Sequence, residues 1–149
     1  MTEHKIDVTR TAQAIWMRGV PQGSGKVQLG SGAFEGDYSF TSRMADGAGT
    51  NPEELLGAAH AACFSMALSL GLTQAGHPPS SISTVAKVHF GQTEAGFAIS
   101  KIELETEGVV PGVDDATFQQ AAAAAKSGCP ISKALAAVDI TLQAKLQPA

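Results

Sequence analysis

The stretch Thr50-Asn-Pro-Glu-Glu-Leu-Leu-Gly-Ala-Ala-His-Ala-Ala-Cys-Phe-Ser-Met66 decides how this chain folds. Asn51 is a residue type that caps helix N-termini, Pro52 suits the first helical position, and Glu53 and Glu54 meet the positive end of the helix dipole. Thr50 with Glu53, or Asn51 with Glu54, has the spacing of a capping box. Beyond the cap, Leu56, Ala59, Cys63, Met66 and Leu70 fall at helical spacing on one stripe. Gly57, Ala58, Ala61, Ala62 and Ala67 surround that stripe, and their small side chains let another backbone come close. The helix is expected to end near Gly76, because Pro78-Pro79 prevents its continuation.

Working outward, three short strands precede the helix. Val8 to Trp16, Lys26 to Leu29, and Asp37 to Ser42 carry β-type residues, and glycine-rich turns connect them. After the helix, Ser81 to Phe90 and Phe97 to Val109 read as a hairpin. A second helix begins around Val113-Asp-Asp115 and runs through Ala121 to Ala125, where the alanines read as simple helix filler. Gly128 is a candidate C-cap, Pro130 starts a short helix through Leu135, and Val138 to Leu146 alternates as a last strand. Strands flank the helices without alternating with them. The expectation is therefore an α+β fold with antiparallel sheet, in a single domain spanning 1–149. A long uncharged helix needs cover on several sides, more than short strands of one small chain give, which implies a homodimer.

Composition removes several function classes. A chain of 149 residues can bury roughly 68–70% of its unfolded surface and needs no disulfide staples. Charged residues make up 16% and aromatics 5%, the net charge is −4, and no basic block exists, so nucleic-acid binding is not expected. Leu55 to Ala86 carries no formal charge. Gly57, His60, Ser65, Ser69, Gly71 and Gln74 dilute this run, which points to a core helix and no membrane association. The N-terminal residues lack the apolar segment of a secretory signal, and the chain has two cysteines. A reducing, cytoplasmic location is expected, where a disulfide would be transient and catalytic.

Those two cysteines, Cys63 and Cys129, are 66 residues apart. A free cysteine is most often a small buried hydrophobe. At Cys63, however, His60 is three residues earlier on the same helix face, and Arg43, in Thr41-Ser-Arg-Met44 at a strand end, could favour a thiolate. Cys129 stands where Gly128 ends one helix and Pro130 starts another, the N-cap position, where free N–H groups would favour its thiolate. Local physics ranks Cys129 as the more acidic sulfur. Glu53 is ten residues from Cys63, about 15 Å along a continuous helix. The two can share a site only if the helix breaks near Gly57 or Glu53 comes from a partner subunit. Metal binding is not expected, since His60 and Cys63 have no second ligand pair. There is no C-x-x-C motif, phosphate-cradling loop or G-x-S-x-G elbow.

The run at 50–66 resembles the signature of the OsmC/Ohr family of thiol-dependent peroxidases, and Gly128-Cys-Pro-Ile-Ser132 resembles its second signature. Ala95-Gly-Phe-Ala-Ile-Ser-Lys-Ile102 and Val110-Pro-Gly-Val-Asp114 are similar to the OsmC branch. The likeness covers most of the chain and is weakest over residues 17–36. It implies an OsmC-like α+β fold, with antiparallel sheet packed around a long central helix in an intertwined homodimer with two interface active sites. It also implies a cofactor-free peroxidase of the oxidative stress response. Cys63 would attack an organic hydroperoxide, or hydrogen peroxide less well, and Cys129 would resolve the sulfenic acid to a disulfide. An external dithiol of the lipoyl type would reduce that disulfide. This order reverses the acidity ranking, because access to peroxide also matters. The resemblance gives the polarising role to an arginine paired with a glutamate. Arg43 and Glu53 match by position, with Arg18 the fallback used by the Ohr branch. Apolar walls from Leu56, Phe64 and Met66 would favour alkyl hydroperoxides. Two rivals stand beside this reading: a cysteine hydrolase using Cys63 with His60, and a non-catalytic dimeric module.

Overall fold

The computed structural model describes residues 5–148, which divide into two compact units between Pro52 and Glu53. The first is a three-stranded antiparallel meander of β1 (Ala12–Met17), β2 (Ser24–Leu29) and β3 (Glu35–Ser39), followed by the short helix α1 (Phe40–Met44). The strand expected through Ser42 stops at Ser39. There the Ser39 hydroxyl accepts from the Ser42 N–H, while the Ser42 hydroxyl accepts from the Ser39 N–H. This reciprocal cap turns the chain into α1 and puts Arg43 on a helix instead of a strand end. The segment after α1 returns to β3. Thr50 N–H donates to Asp37 O at 2.9 Å, and the Ser42 hydroxyl donates to Thr50 O at 2.7 Å. Trp16 and Tyr38 pack across this sheet with ring centroids 5.3 Å apart.

The second unit holds the long helix α2 (Pro52–Gln74), which runs unbroken through Gly57. The strands β4 (Ser81–Thr93) and β5 (Gly96–Val109) then form a long antiparallel hairpin. Helices α3 (Asp115–Gly128) and α4 (Pro130–Ala134) come next, and β6 (Asp139–Gln147) closes the sheet. The sheet order is β4-β5-β6, and β6 lies parallel to β5. The expectation of antiparallel sheet therefore holds for every other strand pair. A parallel neighbour requires a crossover connection, and α3 and α4 supply it. The Asp114 carboxylate caps α3 by accepting from Thr117 N–H at 2.7 Å. Gly128 stays within α3, and Cys129 is the residue that ends it.

The face of α2 that is buried differs from the expected stripe. Gly57, His60, Phe64, Leu68 and Leu72 are buried. Phe64, Leu68 and Leu72 join Ile102, Leu104, Val110, Phe118 and Ala122 in one core. On the stripe read from the sequence, Met66 and Leu70 are 76% and 58% exposed. Periodicity fails here because α2 is apolar on nearly every face, so any of its stripes looks like a core stripe. By length and composition α2 could also cross a membrane, with a mean hydropathy of 1.6. Phe64, Leu68 and Leu72 pack one face of it into the core of this unit, while most of that stretch is not buried.

Candidate active site

The second unit brings the two cysteines together. Cys63, in the middle of α2, and Cys129, between α3 and α4, have their sulfurs 2.8 Å apart, and both are free thiols. A disulfide needs about 2.04 Å, so once one sulfur has been oxidised a short approach closes the bond. Their surroundings differ. Cys129 has no exposed surface, whereas Cys63 is half-buried. Cys63 opens into a cleft of about 570 Å³, also lined by Met66, Ala67, Leu70, Gly71, Gln74, Ala121, Ala124, Ala125, Gly128 and Pro130. The alanines of α3, read from the sequence as filler, are thus one wall of this cleft, where short side chains leave room. Of the apolar walls expected, Met66 is present. Phe64 is fully buried in the core, and Leu56 is not among the lining residues.

The electrostatics separate the two thiols. Burial raises the Cys63 pKa above its ordinary value, and the hydrogen bond with Cys129 raises it further, offset in part by the Ile131 N–H. At Cys129 burial again opposes the charge. The hydrogen bond with Cys63, the N–H groups of Ser132 and Ile131 and the Ser132 hydroxyl outweigh it and leave the pKa lowered. Cys129 is the N-cap of α4, and no formal side-chain capping bond forms there, so these N–H groups act as oriented dipoles. These opposite shifts favour the first negative charge of the pair on Cys129, as the helix-end argument from sequence expected, while in the neutral pair the Cys129 thiol donates to Cys63.

His60 does not serve Cys63. It is fully buried on the inner face of α2, and its Nε2 is 2.8 Å from the Ser132 hydroxyl. Its Nδ1 is buried with no partner. Burial holds its pKa below the ordinary value. An imidazole so placed is no general base for Cys63, which removes the geometry a Cys63–His60 hydrolase needs. Ser132 was read from the sequence only as the end of Gly128-Cys-Pro-Ile-Ser132 and was given no role. The available signal was its place three residues after an N-cap, from which a side chain can reach back to the cap.

Residues 45–143 match the sequence model of the family described as "OsmC-like protein". The chain belongs to the OsmC-like family. It is 49% identical over 148 residues to the peroxiredoxin OsmC of Escherichia coli K12, an alignment that covers 99% of both chains. It is 39% identical over 100 residues to an organic hydroperoxide resistance protein of Xanthomonas axonopodis pv. citri, covering 66% of this chain and 68% of that one. Its structure resembles the crystal structure of an organic hydroperoxide resistance protein from Elizabethkingia anophelis with a TM-score of 0.77. That comparison has 29% identity and covers 96% of this chain and 99% of the other. The OsmC-like α+β fold expected from the two cysteine signatures is thus the fold observed.

Arg43, Arg18 and Glu53 were also expected to serve this OsmC-like site. Arg43 is in the last turn of α1, beside a pocket of about 230 Å³ lined by Trp16, Val20, Tyr38, Ser39, Phe40 and Met44. Arg18 follows β1 with a left-handed backbone, φ 71°. Glu53 is buried in the first turn of α2. Because α2 is continuous at Gly57, the helix break that would have let Glu53 reach Cys63 of its own chain does not occur. Among the described residues, no cluster of His, Cys, Asp and Glu has metal-site geometry.

Proposed function

We propose that this chain is a thiol-dependent peroxidase that reduces organic hydroperoxides, and hydrogen peroxide less well, through Cys63 and Cys129. The observation that carries the reading is a pair of free sulfurs 2.8 Å apart, only one of which opens into a cleft. Acidity alone favours Cys129 as the nucleophile, but a buried sulfur cannot meet a peroxide. Access therefore assigns the attack to Cys63. Its thiolate attacks the terminal oxygen of the hydroperoxide, the O–O bond breaks, and the leaving alkoxide takes a proton to depart as alcohol. Cys63 is left as the sulfenic acid. Cys129 then attacks that sulfur, hydroxide leaves and is protonated to water, and the disulfide forms. An external dithiol, of the lipoyl type by family resemblance, restores both thiols. The apolar cleft favours an alkyl substituent on the peroxide. The names of the two relatives, a peroxiredoxin and an organic hydroperoxide resistance protein, support this reading.

Arg43 polarises the peroxide and favours the Cys63 thiolate, and Glu53 orients that arginine. A buried carboxylate such as Glu53 calls for a charged or hydrogen-bonding partner, which agrees with this role. The protein works as a homodimer of single OsmC-like domains with interface active sites, located in the cytoplasm. One observation supports the dimer: α2 leaves Met66 and Leu70 exposed beside the reactive sulfur. Since α2 is unbroken, the Glu53 of each site comes from the partner subunit.

Intact-mass analysis after one equivalent of tert-butyl hydroperoxide tests the chemistry. Wild type should lose two hydrogens, Cys129→Ser should gain one oxygen at Cys63, and Cys63→Ser should consume no peroxide. A Cys63→Ser protein as active as wild type ends the proposal. Slow, equal alkylation of both thiols would favour a non-catalytic module.

A further inference from the structure

His60 is the buried titratable group that the chemistry above leaves unused. It stands on the core side of α2, wholly buried, with one ring nitrogen on Ser132 and the other without a partner. Ser132 is the third residue of α4, and Cys129 is its N-cap, a spacing from which a side chain can reach back to the cap. We propose that His60, acting through the Ser132 hydroxyl, is a positioning residue that holds Cys129 as a thiolate and so makes it the leaving group when the Cys63–Cys129 disulfide is reduced. The inference rests on the peroxidase reading.

Proton counting fixes the direction of the relay. A hydroxyl has one proton to give. The Ser132 hydroxyl favours the Cys129 thiolate, so its proton points at the sulfur and its oxygen is left to accept. The donor facing that oxygen is His60 Nε2, 2.8 Å away. With the proton on Nε2, the unpartnered Nδ1 carries a lone pair. The other tautomer would bury an N–H without an acceptor. Burial keeps the ring neutral, so His60 acts as a hydrogen-bond donor and not as a counter-ion. The proposed relay runs from Nε2–H to Oγ, 2.8 Å apart, and from Oγ–H to the Cys129 sulfur, and each link polarises the next. Among the described residues, Cys63 and His60 of α2 are brought to this end of α4, and Lys126 in the last turn of α3 and Lys133 in the last turn of α4 flank Cys129 along the chain. α4 itself contributes the Ser132 hydroxyl and the N–H groups of Ile131 and Ser132.

The consequence falls on the reductive half-reaction. Cys129 has no exposed surface, so a dithiol's thiolate attacks the Cys63 sulfur. A bond forms between the reductant and Cys63, and the Cys63–Cys129 bond breaks with its electron pair on Cys129. The reductant's second thiolate then attacks its own sulfur in the mixed disulfide, closes the oxidised reductant and releases Cys63. Two reductant thiols are oxidised and two cysteines are reduced. A leaving thiol of lower pKa leaves faster.

The test titrates Cys129 by its ultraviolet thiolate absorbance in a Cys63→Ala chain, where no peroxide turnover is needed. Failure of the peroxidase reading would thus show in the mass experiment and not here. Adding Ser132→Ala should raise the Cys129 pKa by about one unit, a tenfold loss of thiolate at a fixed pH below it. Ser132→Thr, which keeps the hydroxyl, should restore it. His60→Leu should shift it the same way, and His60→Gln, whose amide nitrogen can stand near the Nε2 position, should restore it. If His60→Leu does not fold, His60→Asn, an amide too short to reach Ser132, supplies the contrast. With Cys63 present, reduction of the preformed disulfide by dihydrolipoamide should slow about threefold to tenfold in Ser132→Ala. An unmoved Cys129 pKa in Ser132→Ala overturns the relay. A shift in His60→Gln as large as that in His60→Leu marks a packing effect and removes His60 from it.

Discussion

Two arginines are candidates for the proposed polarising role, and their backbones suggest how to separate them. Arg18 holds a left-handed conformation, φ 71°, which costs a non-glycine residue about 1–2 kcal/mol. Arg43 sits on a capped helix in ordinary geometry beside an aromatic pocket. Arg43→Ala should lower kcat/KM for tert-butyl hydroperoxide about 100-fold, the usual loss when one donor to a developing charge is removed. Arg18→Gly should keep kcat/KM and raise the urea midpoint, with a gain of up to about 1 kcal/mol after the added flexibility of glycine is subtracted. If activity is lost in Arg18→Gly and kept in Arg43→Ala, the two roles are exchanged.

His60 also couples stability to pH. Its folded pKa is depressed by burial, while in the unfolded chain it titrates near 6.5. Below that pH the unfolded chain binds a proton that the folded chain refuses. The His60 contribution to stability is therefore complete above about pH 6.5 and declines as the pH falls toward the folded pKa. Urea unfolding from pH 8 to 5 should show this decline in wild type and a flatter curve in His60→Gln. Parallel curves would mean that His60 is not refused its proton. The cysteines were legible in the sequence because cysteine is rare and its chemistry is distinctive. Ser132 was not, because a serine near a helix start has many unremarkable reasons to be there.

At the level of elements, glycine marks where a helix lies against the sheet. Gly108 of β5 is buried, and a Cβ built there would meet the Phe118 ring of α3 at 2.6 and 2.9 Å, with Ile82 at 3.2 Å. Phe118 is fully buried and has little freedom to move. Gly108→Ala should destabilise the fold by about 1–3 kcal/mol, read as a lower urea midpoint at unchanged slope. An unchanged midpoint would mean that the β5–α3 contact is looser than described. The starts of α3 near Asp114 and of α4 at Pro130, the Pro78-Pro79 stop and the β4–β5 hairpin were readable from local causes, whereas the C-cap expected at Gly128 and the strand expected through Ser42 were not found. The parallel placement of β6 and the buried face of α2 were not readable in this way. Strand direction depends on which strand is met after the crossover, and α2 offers apolar side chains in nearly every direction. Both are decided by contacts distant in sequence.

For the whole molecule, the continuity of α2 leads to a prediction about how sites are shared. Ten residues of straight helix separate Glu53 from Cys63, about 15 Å along the axis. If a glutamate from this position serves a reactive cysteine, the two belong to different chains. Neither Glu53→Gln nor Cys63→Ala homodimers then hold a complete site. In a mixed dimer, however, the Cys63 of the Glu53→Gln chain meets the intact Glu53 of the Cys63→Ala chain. One of the two sites is whole. Unfolding and refolding the two variants together should recover roughly half the wild-type activity of each mixed dimer, about a quarter of the total when chains pair at random. Activity of the mixture should also fall on dilution or with Met66→Glu, which puts a charge on the exposed apolar face of α2. A mixture no more active than the average of its two parents would return Glu53 to its own chain, where it would cap α2 and take no part in the reaction.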